Sequence, residues 1–260
     1  MRAPGVLAGA LATVAAVGGC GSGTDAGGGG SPAPATPTGT ITVFAAASLT
    51  GSFSELGRRF EAANPGTTVR FGFGPSSGLA RQVAEGAPAD VFASASTRTM
   101  DAVVQAGEAS GPTTFATNAV RIAVPPDNPA GITSVADLAR PGVKVAVCQA
   151  QVPCGAVAAE VFGRAGVSVV PVTAATDVKA VLTAVRTGEV DAGMVYVTDV
   201  LAAGGKVRGI EIPAELNAST SYPIAALTAS RNATTAEAFV AYVLSADGRG
   251  VLEKAGFAAP

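Results

Sequence analysis

From residue 40 onward the apolar positions switch repeatedly between two spacings. Residues 41–46 form a short, largely apolar run fit for a buried parallel strand, and Leu49, Phe53, Leu56 and Phe60 then recur at helical spacing up to residue 63. The pattern next predicts a strand at 68–73, a helix from about 78 to 85, a strand at 91–95, a helix at 97–106 and a strand at 119–124 that stops at Pro125-Pro126. Helices follow at 134–139, 155–165 and 177–187, alternating with strands at 144–147, 168–171 and 192–197, and a last strand at 224–227 leads into a helix at 235–244. Alternation this regular predicts an α/β protein with largely parallel sheets. Its length suits two lobes, with the strands at 119–124 and 222–227 as the crossings between them. The first lobe is then discontinuous, 40–120 plus 222–260, and the second is 121–221. In such sheets ligands sit beyond the carboxyl ends of the strands, so a shared site is expected in the cleft between the lobes.

The first 39 residues have a different character. Arg2 precedes a small-residue apolar stretch, Val6 to Val17, that is too short to cross ~30 Å of hydrocarbon, and residues 1–19 read as a signal peptide. Val17-Gly18-Gly19-Cys20 resembles the bacterial lipobox, which makes Cys20 the acylated first residue of the mature chain. Residues 20–39, Cys20 followed by Gly, Ser, Thr, Pro and Ala with a single charge, Asp25, read as the acylated Cys and a flexible tether. The expected location is therefore the outer face of the cytoplasmic membrane, held there by lipid.

Composition removes several alternatives. The 260 residues are 48% hydrophobic and 14% charged, a globular composition. A net charge of −2 offers no footprint for nucleic acid, so none is expected as a partner. There is no His, which withdraws the usual general base, the usual metal-ligating imidazole and every Ser/His or Cys/His nucleophile. No catalytic residue, cofactor or cation-ligating set is expected. Any anion bound here must be held by something other than bulk charge.

Four places put a strand end, a small or hydroxylated residue and a helix start in succession: Ala47-Ser48-Leu49-Thr50, Gly74-Pro75-Ser76-Ser77-Gly78, Pro153-Cys154-Gly155-Ala156 and Thr176-Asp177-Val178. Each leaves unpaired N–H groups at the positive end of a helix, which is an anion site built without cations. Taken singly, Ser, Thr or Asp before a helix is an N-cap, and Asp177 is expected to be one, leaving only the Val178 N–H for a ligand. Two such starts fall in each expected lobe, and that pairing favours a site.

These segments also carry a family likeness. Ile41-Thr42-Val43-Phe44-Ala45-Ala46-Ala47-Ser48-Leu49-Thr50 resembles the opening strand and loop of the periplasmic molybdate-binding proteins of ABC importers (ModA type), as do Leu79-Ala80-Arg81-Gln82 and Gly86-Ala87-Pro88-Ala89-Asp90-Val91-Phe92. Val152-Pro153-Cys154-Gly155, Asp177-Val178 and Gly193-Met194-Val195-Tyr196-Val197-Thr198-Asp199 continue the likeness in order. The resemblance implies a two-lobed periplasmic-binding-protein fold (type II). It also implies high-affinity binding of molybdate or tungstate through Ser48, Ser76, the N–H groups of Cys154 and Val178, and the Tyr196 phenol. The implied partners are the membrane permease and ATPase subunits of an importer, with the protein itself a monomer. Family members often have Ala at the Cys154 position, and Pro75 stands where Ser or Ala is familiar, which leaves Ser77 as an alternative to Ser76.

Molybdate is a fully deprotonated dianion near neutrality and accepts at every oxygen, so a site of donors suits it. Hydrogenphosphate carries a proton that needs an acceptor, and a buried unmet donor costs about 1–3 kcal/mol. Cys148 and Cys154 lie six apart in an exported chain, where disulfides persist, and a bridge between them is expected, with two free thiols as the alternative. The competing functions are binding of another oxyanion, sulfate or thiosulfate, and a Cys154-dependent enzyme, which the lack of His disfavours.

Overall fold

The computed structural model describes residues 36–260. The expected signal peptide, Cys20 and most of the tether lie outside the described residues.

The first part of the chain runs β1 (Gly39–Ala46), a single 3-10 turn (Ala47–Leu49), α1 (Thr50–Ala63), β2 (Thr67–Gly74), α2 (Ser76–Ala84), β3 (Val91–Ala93) and α3 (Thr97–Gln105). The long strand β4 (Thr113–Val124) leads into β5 (Val145–Cys148), α4 (Pro153–Ala165), β6 (Thr173–Ala175), α5 (Val178–Arg186), β7 (Ala192–Tyr196), α6 (Val197–Ala202) and β8 (Arg208–Ile210). β9 (Ser219–Ala226) returns, and α7 (Ala233–Leu244) and α8 (Ala246–Lys254) complete the chain.

The strands follow one another in the order β2-β1-β3-β9-β4-β7-β5-β6, with β8 also on β4. Pairing is parallel through β2-β1-β3 and again through β7-β5-β6, and antiparallel wherever β4 or β9 takes part. The expected parallel βαβ units are thus present on both sides, and the two crossing strands run against their neighbours. The result is a two-lobed α/β fold in which a small buried cluster of Leu79, Val83, Phe92, Met100 and Leu227 joins α2, α3 and β3, beside two larger cores. One collects Phe53, Phe60, Phe115 and Phe239, whose rings meet edge-on or tilted at centroid distances of 5.3–6.3 Å. Burying each such ring contributes about 1.5–3 kcal/mol. The other is built of smaller aliphatics such as Val145, Val161, Val181 and Met194. Gly193 matters in that core, because a Cβ there would stand 2.6 Å from Val181 Cγ1 and 2.9 Å from Val185 Cγ2. Its absence lets α5 lie close on β7 and brings the start of α5 to the cleft.

Several boundaries differ from the pattern-based expectation. β1 begins at Gly39, and Thr38 already accepts hydrogen bonds from Asn232 Nδ2 at 2.8 Å and Thr235 Oγ1 at 2.7 Å, so the end of the assigned tether belongs to the folded body. The strand expected at 168–171 is absent. Pro171 has no N–H to give a ladder, and pairing with β5 begins only at Val172, whose N–H reaches Val145 O at 2.9 Å. β4 starts at Thr113 and β9 at Ser219, both earlier than expected, because their polar threonines and serines pair with each other rather than marking loops. α6, β8 and α8 were not expected at all.

Candidate functional site

A small cavity lies where the 3-10 turn after β1 and the starts of α2, α4 and α5 converge, with Tyr196 at the end of β7 as a further wall. All five expected residues, Ser48, Ser76, Cys154, Val178 and Tyr196, line it. Ser76 is buried, whereas Ser77 faces a separate surface groove, so the serine at the cavity is Ser76.

Each start presents itself for a local reason. Pro75 holds an extended backbone, and Ser76 opens α2 with no side-chain cap on the first turn. Ser76 Oγ accepts the Ala95 N–H at 3.0 Å, and Ala95 O in turn accepts from Thr220 Oγ1 at 2.5 Å on the crossing strand β9. Pro153 occupies the first turn of α4, where a missing N–H costs nothing. A disulfide joins Cys148 at the end of β5 to Cys154, across a Cα separation of 5.7 Å, and so ties the cavity-lining loop to the sheet. Gly155 is sterically required, since a Cβ there would lie 2.1 Å from Gln149 O and 2.7 Å from Cys148 O.

Asp177 is the N-cap of α5. Its Oδ1 accepts from the N–H groups of Lys179 at 2.8 Å and Ala180 at 3.0 Å, and the Val178 N–H is left as the uncapped first-turn donor. Lys179 turns its ammonium away to Asp199 Oδ1, 2.7 Å distant. Asp199 is fully buried and holds Tyr196 in place by accepting its backbone N–H at 3.1 Å. Burial raises the Asp199 carboxyl above its ordinary range, and the Lys179 ammonium opposes that rise. No cationic side chain lines the cavity among the described residues; its positive potential comes from helix ends.

Tyr196 is 2% exposed, and its hydroxyl has no hydrogen-bond partner in the protein. Burial raises its phenol well above the usual range, so it remains a protonated donor. Its ring meets that of Tyr222 edge-on, with centroids 6.3 Å apart, yet no hydrogen bond of acceptable geometry joins the two hydroxyls. Tyr222, fully buried on β9, pairs instead with Ser48, Oη to Oγ 2.9 Å. Tyr222, whose hydroxyl partners the cavity-lining Ser48, was not among the expected residues. Its only sequence signal was a tyrosine in a crossing strand, and its partner is 174 positions away.

The room inside, measured for the centre of a water molecule, is ≈20 Å³. About 10–15 Å³ by that measure holds one water, so the space suits a compact ion and not a sugar or a peptide. Among the described residues no group of three His, Cys, Asp or Glu side chains is arranged to hold a metal cation. No helix among them is long and apolar enough to cross a membrane.

Two α/β lobes joined by crossing strands, with helix starts gathered around a space for one small ion, define a solute-binding protein. Residues 41–258 match the model of the bacterial extracellular solute-binding proteins, and the chain belongs to that family. A molybdate-binding protein ModA of Mycobacterium tuberculosis is 46% identical over 219 residues, covering 84% of each chain. The structure of the Azotobacter vinelandii periplasmic molybdate-binding protein superposes with a TM-score of 0.75 at 20% identity, over 85% of this chain and 99% of that one. The sulfate-binding protein SubI of Mycobacterium tuberculosis gives a TM-score of 0.74 at 20% identity, over 84% of this chain and 86% of that one. At that identity the two structural likenesses speak for the fold alone.

Proposed function

We propose that this protein binds molybdate, and also tungstate, outside the cytoplasmic membrane and delivers it to the permease and ATPase of an ABC importer. The observation that carries the reading is the Tyr196 hydroxyl, a buried donor without a protein partner, facing a cavity of helix starts that no cation lines. A deprotonated tetrahedral dianion supplies the acceptors such a wall needs. Its contacts are the hydroxyls and N–H groups of Ser48 and Ser76, the N–H groups of Cys154 and Val178, and the Tyr196 phenol. The 46% identity to a molybdate-binding protein over most of both chains supports the same ligand.

Ser48 and Ser76 stand on one lobe and Cys154, Val178 and Tyr196 on the other, with boundaries at 40–120 plus 222–260 and 121–221. The separate cores support that division. A ligand touching both lobes stabilises the closed arrangement by contacts the open one lacks, and closure is what the importer reads. Cys20 carries the lipid anchor after removal of residues 1–19, and the protein acts as a monomer. Replacing Cys20 by Ser then releases the protein from membranes, and retention of the variant would disprove the anchor.

Calorimetric titration with molybdate, tungstate, sulfate and phosphate tests the ligand. Tight binding of the first two with weak sulfate and no phosphate binding is expected. Sulfate binding as tight as molybdate would overturn the assignment and leave the fold standing.

A further inference from the structure

A wall of hydroxyl groups is not by itself a wall of donors, because Ser and Tyr oxygens accept as readily as they donate. Rejection of a protonated anion therefore depends on what fixes the direction of each hydroxyl. For Ser76 the backbone does so, since its Oγ already accepts the Ala95 N–H and its own proton is left for the cavity. For Ser48 the neighbouring atom is the Tyr222 hydroxyl.

We infer that Tyr222 is a specificity-determining positioning residue, whose phenol donates to Ser48 Oγ and thereby commits the Ser48 proton to the bound anion. Two observations decide the direction. Tyr222 is buried, and Ser48 Oγ is the only partner in hydrogen-bonding geometry with its hydroxyl among the described residues; Asn118 Oδ1, an unpartnered acceptor beside the phenol, lies outside that geometry. Ser48, in contrast, has the cavity as a second neighbour. If Ser48 donated to Tyr222, the phenol proton would be buried without an acceptor, at the full desolvation cost. The chosen direction satisfies both groups and aligns two O–H dipoles toward the anion, so each strengthens the other. Burial also pushes the Tyr222 phenol up, so the donor keeps its proton throughout the working range.

The inference rests on the reading that the cavity holds a fully deprotonated oxyanion. Its test is calorimetric titration of the protein and of Tyr222→Phe, Ser48→Ala and the double variant with molybdate and with phosphate. Tyr222→Phe is expected to weaken molybdate about five- to tenfold, the usual worth of one hydrogen bond, and to narrow the molybdate-over-phosphate ratio by a similar factor, because Ser48 regains an acceptor. The same change made on Ser48→Ala is expected to alter neither quantity. Fully additive effects, or an unchanged ratio in Tyr222→Phe even with earlier melting, would show a merely structural residue and overturn the inference. A fluorinated tyrosine placed at 222 keeps the ring and hydroxyl and donates more strongly, so it should tighten molybdate; weaker binding with normal melting overturns the relay. Failure of the unsubstituted protein to bind molybdate or tungstate overturns the ligand reading, and the inference with it, before any variant is made.

Discussion

Replacing Tyr196 by Phe should move stability and affinity in opposite directions. In the ligand-free protein the Tyr196 hydroxyl is buried without a protein partner, and such a group costs about 1–3 kcal/mol of stability. Phe keeps the ring and its packing against Tyr222 and deletes only the oxygen, so the free protein should gain up to that amount. One water fits in the cavity and would supply a partner, which places the gain toward the lower end. For a domain of this size about 1 kcal/mol shifts the melting midpoint by roughly 2–4 °C, so a rise of about 2–12 °C is expected. The bound complex loses one hydrogen bond to a charged group, worth about 1.5–3 kcal/mol, and molybdate affinity should fall by about 10- to 150-fold. Thermal melting by circular dichroism without ligand, paired with calorimetric titration, reads both signs on one preparation. A Tyr196→Phe variant that melts at or below the unsubstituted protein and binds molybdate unchanged would refute the assignment of that hydroxyl to the ligand.

Reducing the Cys148–Cys154 disulfide removes a short-loop constraint worth about 2 kcal/mol, so melting in reductant should come roughly 4–8 °C earlier. Molybdate should also bind more weakly, because the loop presenting the Cys154 N–H loosens; identical curves with and without reductant would disprove the link. Gly155→Ala should cost about 1–3 kcal/mol, since its Cβ meets backbone oxygens, whereas Gly163→Ala in the same helix has open space and should gain about 0.5–1 kcal/mol. Equal effects of the two in urea unfolding would contradict the packing described. Of the three tyrosines, Tyr242 should titrate in the folded protein, while Tyr196 and Tyr222 lose their protons only on unfolding. Because the folded-state values of this pair are raised, their contribution is complete below about pH 10 and is lost as pH rises further, at about 2.7 kcal/mol per pH unit for two groups. Ultraviolet difference titration checks this; three phenolates forming reversibly before unfolding would contradict the burial.

The positions that could be read from the chain were those whose chemistry is local. Ser48, Ser76, Cys154 and Val178 each follow a strand end and open a helical turn, and that pattern is visible within five residues. Asp177 was legible as a cap for the same reason, and the structure gives it two first-turn N–H bonds. Tyr196 came from family likeness, because nothing adjacent to a tyrosine at a strand end says that its hydroxyl will lack a partner. Tyr222 was illegible, since its role exists only through an atom brought from 174 positions away. Among elements, α8 escaped because Gly248 and Gly250 are poor helix formers and its Ser245 cap was not recognised. α6 escaped because the β-branched Val197 and Thr198 follow β7 directly and read as its continuation, whereas the Asp199 carboxylate accepts the Tyr196 N–H at the start of the helix.

The handover within β4 has a geometric corollary. Up to Ala119 this strand pairs with β9, and the Val120 N–H still reaches Ala218 O at 3.1 Å; from Val120 onward its register partner is β7, beginning with Tyr196. There is no slack segment between the two ladders: β4 passes from one lobe to the other as one continuous strand, beside the second crossing strand β9. Tyr196 sits at the residue pair where the ladder changes hands, so the proposed ligand contact and the joint between the lobes share that pair.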